Sequence, residues 1–299
     1  MQKIILEVKN LTKKFDNFIA VNQINFSVFK NEIFGFLGPN GAGKTTTINL
    51  LTGLARPTSG SIFINGMDYT INIKSAQQII GIVPDESNLY EEMDGFDNLC
   101  FCASLYGIKK AEREQRAKSL LQQFNLTDAG KKPYKSYSKG MKRKLTIAAG
   151  IIHQSGILFL DEPTTGIDVA SARQIRSLIR NLNEAGTTIF MTTHYIEEAE
   201  RLCDRIAFIV NGEIIKIGAI HELMEDAQKE KIIQFTFDGK IQLNQFQQDF
   251  CRQFSPCELL QIQGSVFQVR SETALDLMPI MSFFDSRGIK VMEAKIIKP

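Results

Sequence analysis

A glycine-rich segment at residues 38–46, with the sequence GPNGAGKTT, constrains this chain more than any other feature. The apolar run Ile33–Leu37 precedes it and predicts a buried strand, and the residues that follow predict a helix. Glycines let successive backbone N–H groups point at one anion, and a helix N-terminus favours negative charge. The segment therefore predicts a phosphate-binding loop between a strand and a helix, formed by Gly38, Pro39, Asn40, Gly41, Ala42, Gly43, Lys44, Thr45 and Thr46.

Two acids follow a second apolar run. Ile157–Leu160 has the continuous apolar character of a strand buried on both faces of a parallel sheet, and Asp161 and Glu162 come directly after it. A carboxylate at the tip of such a strand can hold Mg²⁺, as can the hydroxyl of Thr45, and a neighbouring carboxylate can accept a proton from an attacking water. A solvated strand end is the alternative. The phosphate-binding loop, in which Lys44 supplies charge for the outer phosphates, makes that alternative the weaker one.

Further motifs follow in a fixed order. They are VPDE at 83–86, YSKGM at 137–141, LDEP at 160–163, TTGID at 164–168 and His194 after two threonines. Over about residues 1–220, this order resembles the nucleotide-binding subunit of an ATP-binding cassette (ABC) transporter, of the exporter-like kind. In that family the corresponding segments are a Gln-containing loop, the signature most often written LSGGQ, the Mg²⁺-binding strand, the loop that crosses the dimer interface and the switch histidine. A generic phosphate-loop protein would share only the first motif and the acidic strand.

The resemblance implies that the protein binds and hydrolyses ATP with Mg²⁺. Lys44 and the loop amides would hold the phosphates, and Thr45 and Asp161 would hold Mg²⁺. Glu162 would act as the general base, and His194 would contact the γ-phosphate. Glu162 and His194 are therefore the first candidate catalytic residues.

The resemblance also implies a dimer, of two identical subunits or of this chain with a related ATPase subunit. The subunits would meet head-to-tail, so that Ser138 and Gly140 of one bind the ATP held by the other, and Asp168 couples the two sites. The basic stretch 131–145 would then face an anion; a solvated basic face is the alternative. Phe15 lies near the place where the family has an aromatic that stacks on adenine, although a core phenylalanine is the alternative.

The chain departs from the family pattern in two places. The signature-like segment keeps Ser138 and Gly140 but has Lys139 and Met141 in place of a Gly and the Gln. Asp85 replaces the Gln that, in the family, touches Mg²⁺ and the attacking water and links to the transmembrane partner. A carboxylate is a hard oxygen ligand, so Asp85 could ligate Mg²⁺ and remain catalytic. In the competing hypothesis Asp85 is too short to reach the metal, and its loop only couples the ATPase to the permease.

Composition narrows the class of protein. The chain has 299 residues, 43% hydrophobic and 23% charged, with a net charge of +2, which predicts no strong attraction to nucleic acid or to a membrane surface. No apolar stretch approaches the roughly 18 residues of a membrane span, and the N-terminus lacks the apolar core of a signal peptide. Five cysteines without metal-ligand spacing predict reduced thiols. We expect a cytoplasmic protein that reaches the inner face of the membrane through an integral membrane permease.

The hydrophobic pattern divides the chain into two domains. Residues 1–222 predict an α/β P-loop NTPase core with a flanking antiparallel β subdomain and an inserted helical subdomain at 94–137. Within this domain, alternating apolar residues predict strands over 4–8 and 24–28, and apolar residues at helical spacing predict an amphipathic helix over Val169–Glu184. Residues 223–299 predict a small C-terminal α+β domain with the order β-α-β-β-α-β, in which 242–254 is the first helix, compatible with a ferredoxin-like fold.

The predicted function is ATP hydrolysis that powers a separately encoded permease, an exporter or a related system. A soluble ABC ATPase in translation or DNA maintenance is the alternative, although such proteins usually carry two cassettes, a coiled coil or zinc inserts. A small-molecule kinase would explain neither the signature-like segment nor His194.

Overall fold

The structure is a computed structural model that describes residues 3–70, 73–223, 231–238, 249–254, 258–263, 265–271 and 277–297. The chain divides into two compact units, Met1–Ile220 and His221–Pro299. The sequence places this division slightly later, between residues 222 and 223. Among the helices in the described part of the chain, none has the length and apolar character that a membrane span requires.

The first unit contains both strands and helices. The strands are β1 (Ile4–Phe15), β2 (Phe18–Phe29), β3 (Ile33–Leu37), β4 (Ser59–Ile64), β5 (Met67–Asp68), β6 (Ile80–Val83), β7 (Ile157–Leu160), β8 (Thr188–Thr193), β9 (Arg205–Val210) and β10 (Glu213–Ala219). The helices are α1 (Lys44–Leu51), α2 (Ile73–Gln77), α3 (Gly95–Leu105), α4 (Lys110–Gln123), α5 (Lys139–Ile151), α6 (Val169–Glu184) and α7 (Ile196–Leu202).

A six-stranded sheet in the order β10-β9-β3-β8-β7-β6 forms the centre of this unit. Strands β6, β7, β8, β3 and β9 are parallel, and only β10 runs antiparallel to its neighbour. Every residue of β3, β7 and β8 is buried, as expected for strands covered on both faces. Because parallel strands share one direction, the segments that follow β3, β7 and β8 emerge at the same edge of the sheet.

A second sheet, in the order β2-β1-β4-β5, is antiparallel and packs against the first. Its Phe26 ring stacks on Phe34 of β3, with the ring centroids 5.6 Å apart. Strands β1 and β2 each span 12 residues, longer than the predicted runs at 4–8 and 24–28. Asn10, with φ of 48°, accompanies a register shift in β1, and such bulges interrupt the alternation on which the prediction depended.

Helices α3 and α4 lie in the chain between β6 and β7, where the sequence predicts a helical subdomain. Aspartate side chains cap the N-termini of α3 and α6. Asp94 accepts a hydrogen bond from Asp97 N at 2.7 Å, and Asp168 accepts one from Ser171 N at 2.9 Å. Helix α6 matches the predicted bounds, and its apolar face is buried through Ala172, Ile175, Leu178, Ile179 and Leu182.

The second unit contains a four-stranded antiparallel sheet. Its strands are β11 (Lys231–Phe237), β12 (Glu258–Gln263), β13 (Val266–Ser271) and β14 (Val291–Ile297), in the spatial order β12-β13-β11-β14. Residues 249–253 are helical, and α8 (Leu277–Asp285) follows β13. Of the predicted helix at 242–254, residues 242–248 lie outside the described residues. The core is rich in aromatic side chains: Ile233, Phe235, Phe237, Phe250, Phe267, Val269, Ile280, Phe283 and Phe284.

This order of strands is that of the β-α-β-β-α-β ferredoxin-like arrangement predicted for the C-terminal segment. The predicted fold class is confirmed: an α/β core with a flanking antiparallel sheet, helices between β6 and β7, and a small α+β unit at the C-terminal end.

Candidate functional site

The glycine-rich loop joins β3 to α1, and two of its glycines are required by close backbone contacts. A Cβ on Gly38 would lie 2.2 Å from Ile209 O, and one on Gly43 would lie 2.4 Å from Ala20 O. Gly43 also has a φ of 103°, which side chains rarely tolerate. Only glycine lets the loop curl this tightly and direct its N–H groups toward one anion.

A cavity of about 500 Å³ opens beside this loop. It lies at the edge of the sheet where the loops after β3, β7 and β8 meet, the usual place for ligands in open α/β sheets. Its lining brings together residues from distant parts of the sequence: Phe18, Ala20, Asn40, Gly41, Gly43, Lys44, Thr45, Thr46, Asp85, Glu162, Thr165 and His194.

Lys44 is buried and has only oxygen partners in the described structure. Its Nζ donates to Gly38 O at 2.8 Å and to Pro39 O at 3.2 Å, and it lies 3.3 Å from Glu162 Oε1. Both side chains of this ion pair are nearly inaccessible, at 6% and 11% exposure. Buried ion pairs contribute little net stability because both charges lose their hydration. The pair is therefore weak evidence for a role in the stability of the fold.

Glu162 is held in a strained backbone conformation. Its φ of 47° is uncommon for a residue with a side chain and costs about 1–3 kcal/mol, so the surroundings must impose it. The backbone N–H of Glu162 donates to Thr192 Oγ1 at 3.1 Å. Its carboxylate accepts the hydroxyl of Thr165 at 3.0 Å and lies 2.8 Å from His194 Nδ1. This arrangement directs the Glu162 carboxylate into the cavity beside Lys44.

Asp161, next to Glu162, is also buried, and its carboxylate accepts a hydrogen bond from the Thr192 hydroxyl. Thr45, at the start of α1, is exposed in the cavity. Within the described residues, no cluster of three or more His, Cys, Asp or Glu side chains could hold a metal. The available donors are hard oxygens in small number, which fits Mg²⁺, because this ion usually keeps several waters and takes phosphate oxygens as ligands.

Asp85 lines the cavity, and its side chain is half-exposed. Its carboxylate lies 3.3 Å from Arg143 Nη2, a contact that the sequence analysis did not anticipate. Arg143 also donates to the backbone carbonyls of Pro84 at 2.7 Å and Asp85 at 2.6 Å. Arg143 thus holds this loop through its backbone, independently of the Asp85 side chain.

The signature-like segment lies at the start of α5. Ser138 caps the helix by accepting a hydrogen bond from Met141 N at 3.2 Å. Gly140 packs so closely against α6 that an added Cβ would lie 2.3 Å from Ser171 Oγ. Burial raises the pKa of the preceding Tyr137 to about 12, and its hydroxyl donates to Ala129 O at 2.6 Å. In the described chain, neither Ser138 nor Gly140 lines the cavity at the glycine-rich loop.

The two phenylalanines of the β1–β2 hairpin differ in position. Phe15 and Phe18 pair across the turn and are both exposed, at 49% and 63%. Phe18 lines the cavity, whereas Lys13 Nζ lies 4.8 Å from the centre of the Phe15 ring. The adenine-stacking role of Phe15 stays a prediction, and Phe18, which the sequence analysis did not select, is a second candidate. A second phenylalanine three positions after Phe15 was the signal for it in the sequence.

Comparisons with known proteins agree with this geometry. The ABC transporter family model matches residues 21–165. The linearmycin resistance ATP-binding protein LnrL of Bacillus subtilis is 41% identical over 79% of this chain and 76% of its own length. The daunorubicin/doxorubicin resistance ATP-binding protein DrrA of Streptomyces peucetius is 39% identical over 73% of this chain and 66% of its own. The probable multidrug ABC transporter ATP-binding protein YbhF of Escherichia coli is 36% identical, but only 39% of its length is matched.

Solved structures give the same result. An ATP-binding subunit of an ABC transporter, 30% identical, superposes with a TM-score of 0.67 over 74% of this chain and 92% of its own. The dimeric cassette MJ0796 bound to ADP and Pi, 25% identical, superposes with a TM-score of 0.66 over 72% and 99%. The chain therefore belongs to the ABC transporter family as an ATP-binding subunit, which confirms the family and the ATPase class predicted from its motifs.

Proposed function

We propose that this protein hydrolyses ATP to drive export through a separately encoded membrane permease. The observation that carries the proposal is the convergence of Lys44, Glu162 and His194 on one cavity beside the glycine-rich loop. The names of the relatives LnrL and DrrA, both resistance ATP-binding proteins, support the export direction.

In the proposed reaction, the loop N–H groups and Lys44 bind the ATP phosphates and neutralise their charge. The Glu162 carboxylate accepts a proton from the attacking water as general base, and its Oε1 stays close to Lys44 Nζ. His194 Nδ1 orients the Glu162 carboxylate through their 2.8 Å contact, and the ring faces the same cavity. Phe18 or Phe15 stacks on the adenine ring.

Mg²⁺ would be held by Asp161 and Thr45, and Asp85 is a third candidate ligand. When bound, the ion would neutralise charge that develops on the phosphate oxygens. The hydrogen bond from Thr192 keeps the Asp161 carboxylate oriented toward this edge of the sheet.

We further propose a head-to-tail dimer, with this chain or a related ATPase subunit as partner, in which Ser138 and Gly140 bind the ATP held by the other subunit. Their absence from the cavity of their own chain and the dimeric state of the relative MJ0796 support this arrangement. The permease would hold the protein at the inner face of the membrane. Nucleic acid is not among the proposed partners.

A combined activity and partner experiment tests the proposal. The purified protein should hydrolyse ATP when Mg²⁺ is present, and Lys44→Ala should lose this activity together with most of its ATP affinity while keeping its fold. Crosslinking in native membranes should then join the protein to a multi-span membrane protein. Absence of hydrolysis would contradict the enzymatic assignment, and crosslinking only to ribosomes or DNA would favour the soluble alternative.

A further inference from the structure

Glu198 is a buried carboxylate that the reaction proposed above does not use. It lies on α7, four residues after His194, and is only 4% exposed. Its neighbours on the same helix, Glu197 and Glu200, are exposed. Burying a carboxylate is costly unless hydrogen bonds compensate it, so the partners of Glu198 indicate what it does.

Both oxygens of Glu198 accept hydrogen bonds from threonine hydroxyls. Oε1 accepts from Thr164, and Oε2 accepts from Thr193 at 2.7 Å. In the part of the chain that the structure describes, no Lys, Arg or His forms an ion pair with Glu198. The carboxylate is thus compensated by two hydroxyls, one in the loop after β7 and the other on the last residue of β8.

Each of the two threonines is adjacent to a residue that touches Glu162. Thr164 precedes Thr165, whose hydroxyl donates to the Glu162 carboxylate at 3.0 Å. Thr193 precedes His194, whose Nδ1 lies 2.8 Å from the same carboxylate. Glu198 therefore joins the loop after β7 to the end of β8, next to the two residues that contact the candidate general base.

We propose that Glu198 is a positioning residue for ATP hydrolysis: its carboxylate ties Thr164 to Thr193, and thereby fixes Thr165 and His194 against Glu162. This inference rests on the proposed function. In the described chain, Glu198 is not among the residues that line the cavity at the glycine-rich loop. We therefore expect its removal to affect the orientation of Glu162 more than the binding of ATP. Misplacement of a catalytic group by about 1 Å can cost on the order of a hundredfold in rate.

The test compares Glu198→Ala, Glu198→Gln and the control Glu200→Gln. Glu198→Ala should lower kcat by roughly ten- to a hundredfold, and equilibrium binding of ATP should change less than about threefold. Glu198→Gln should recover part of the rate, because its amide oxygen still accepts one hydroxyl. Glu200→Gln, at an exposed position of the same helix, should behave as wild type.

A second pair of variants covers the case in which Glu198→Ala does not fold. Thr164→Val removes the hydroxyl and should lower kcat, whereas Thr164→Ser keeps a hydroxyl and should preserve most of it. If Glu198→Ala and Thr164→Val both hydrolyse ATP at the wild-type rate, Glu198 has no positioning role. If ATP affinity falls as much as kcat in the folded variants, Glu198 supports binding and the inference is wrong. If the wild-type protein itself hydrolyses no ATP, the proposed function fails first.

Discussion

At the scale of single residues, Asp85 has two possible charged partners. Its carboxylate lines the candidate nucleotide cavity but lies 3.3 Å from Arg143 Nη2. Because Arg143 also binds the backbone carbonyls of Pro84 and Asp85, a substitution at Asp85 removes the carboxylate without releasing the loop. Substitution at this position can therefore separate a metal-ligand role from a structural one.

If Asp85 ligates Mg²⁺, Asp85→Asn should raise the Mg²⁺ concentration needed for half-maximal ATPase activity, because a neutral amide binds the ion more weakly than a carboxylate. Asp85→Gln should largely preserve activity, since it restores the residue usual in the family. ATPase activity measured across a Mg²⁺ titration decides whether Asp85 is a ligand of the ion. A titration in which Asp85→Ala coincides with wild type would exclude the ligand role and leave the coupling role.

The sequence was informative about residue types and much less about contacts between them. Lys44 and Glu162 were selected from the glycine-rich loop and from the acidic strand end, and both line the same cavity. The contact between His194 and Glu162 could not be read from the sequence, because it depends on β7 and β8 being neighbours in the sheet. The contacts of Arg143 with Pro84 and Asp85, and of Glu198 with Thr164, could not be read from the sequence either, because these residues are far apart in the chain.

At the scale of elements, helices were predicted best where a single face is apolar, as in α6. Strand β1 was underestimated because bulges interrupt its alternation. The spatial order of the strands is a property of packing, and the local patterns of the sequence do not contain it. Contacts between elements can also shift the pKa of a side chain in a way that the local sequence does not predict, as they do for His153.

His153, just after α5, joins three elements of the first unit. Its ring stacks on Tyr106, after α3, at a centroid distance of 3.8 Å, and its Nε2 lies 2.9 Å from Ile80 O of β6. Its Nδ1 is buried and, within the described residues, has no hydrogen-bond partner. Burial, with a smaller contribution from Arg116, lowers the pKa of His153 below its ordinary value of 6.5.

This lowered pKa predicts a pH dependence of stability. Below about pH 6.5 the unfolded chain binds a proton at His153 that the folded protein does not yet bind, so the free energy of unfolding falls as the pH falls toward the folded pKa. His153→Gln, which can still donate to Ile80 O, should remove this component. Urea unfolding at pH 7.5 and pH 5.5 measures it. Equal losses of stability in wild type and variant would show that His153 is not responsible.

In the whole molecule, the proposed dimer places each ATP site between two subunits. Gly140→Asp is a poor probe of the signature-like segment, because the new side chain would collide with Ser171 of its own chain. Lys139→Glu is better, since Lys139 is exposed at the first position of α5, where a negative charge favours the helix but repels phosphate.

Mixing Lys44→Ala with Lys139→Glu subunits should therefore restore part of the activity. In a dimer of either variant alone, both ATP sites are defective. A mixed dimer has one site in which both the glycine-rich loop and the signature-like segment are intact. ATPase activity measured against mixing ratio should pass through a maximum. A curve that never rises above the two separate variants would indicate that each subunit works alone.

The proposed reaction depends on Glu162 as the group that removes a proton from the attacking water, and Glu162→Gln abolishes this capacity. The amide keeps the shape of the side chain, so it can remain near Lys44, Thr165 and His194, but it cannot accept the proton. Single-turnover hydrolysis and ATP retention should be measured together. We expect the variant to bind ATP, to accumulate as an ATP-bound dimer and to hydrolyse ATP about 10²–10⁴-fold more slowly. A variant that binds ATP and hydrolyses it near the wild-type rate would show that Glu162 is not the base and that the proton acceptor is another group.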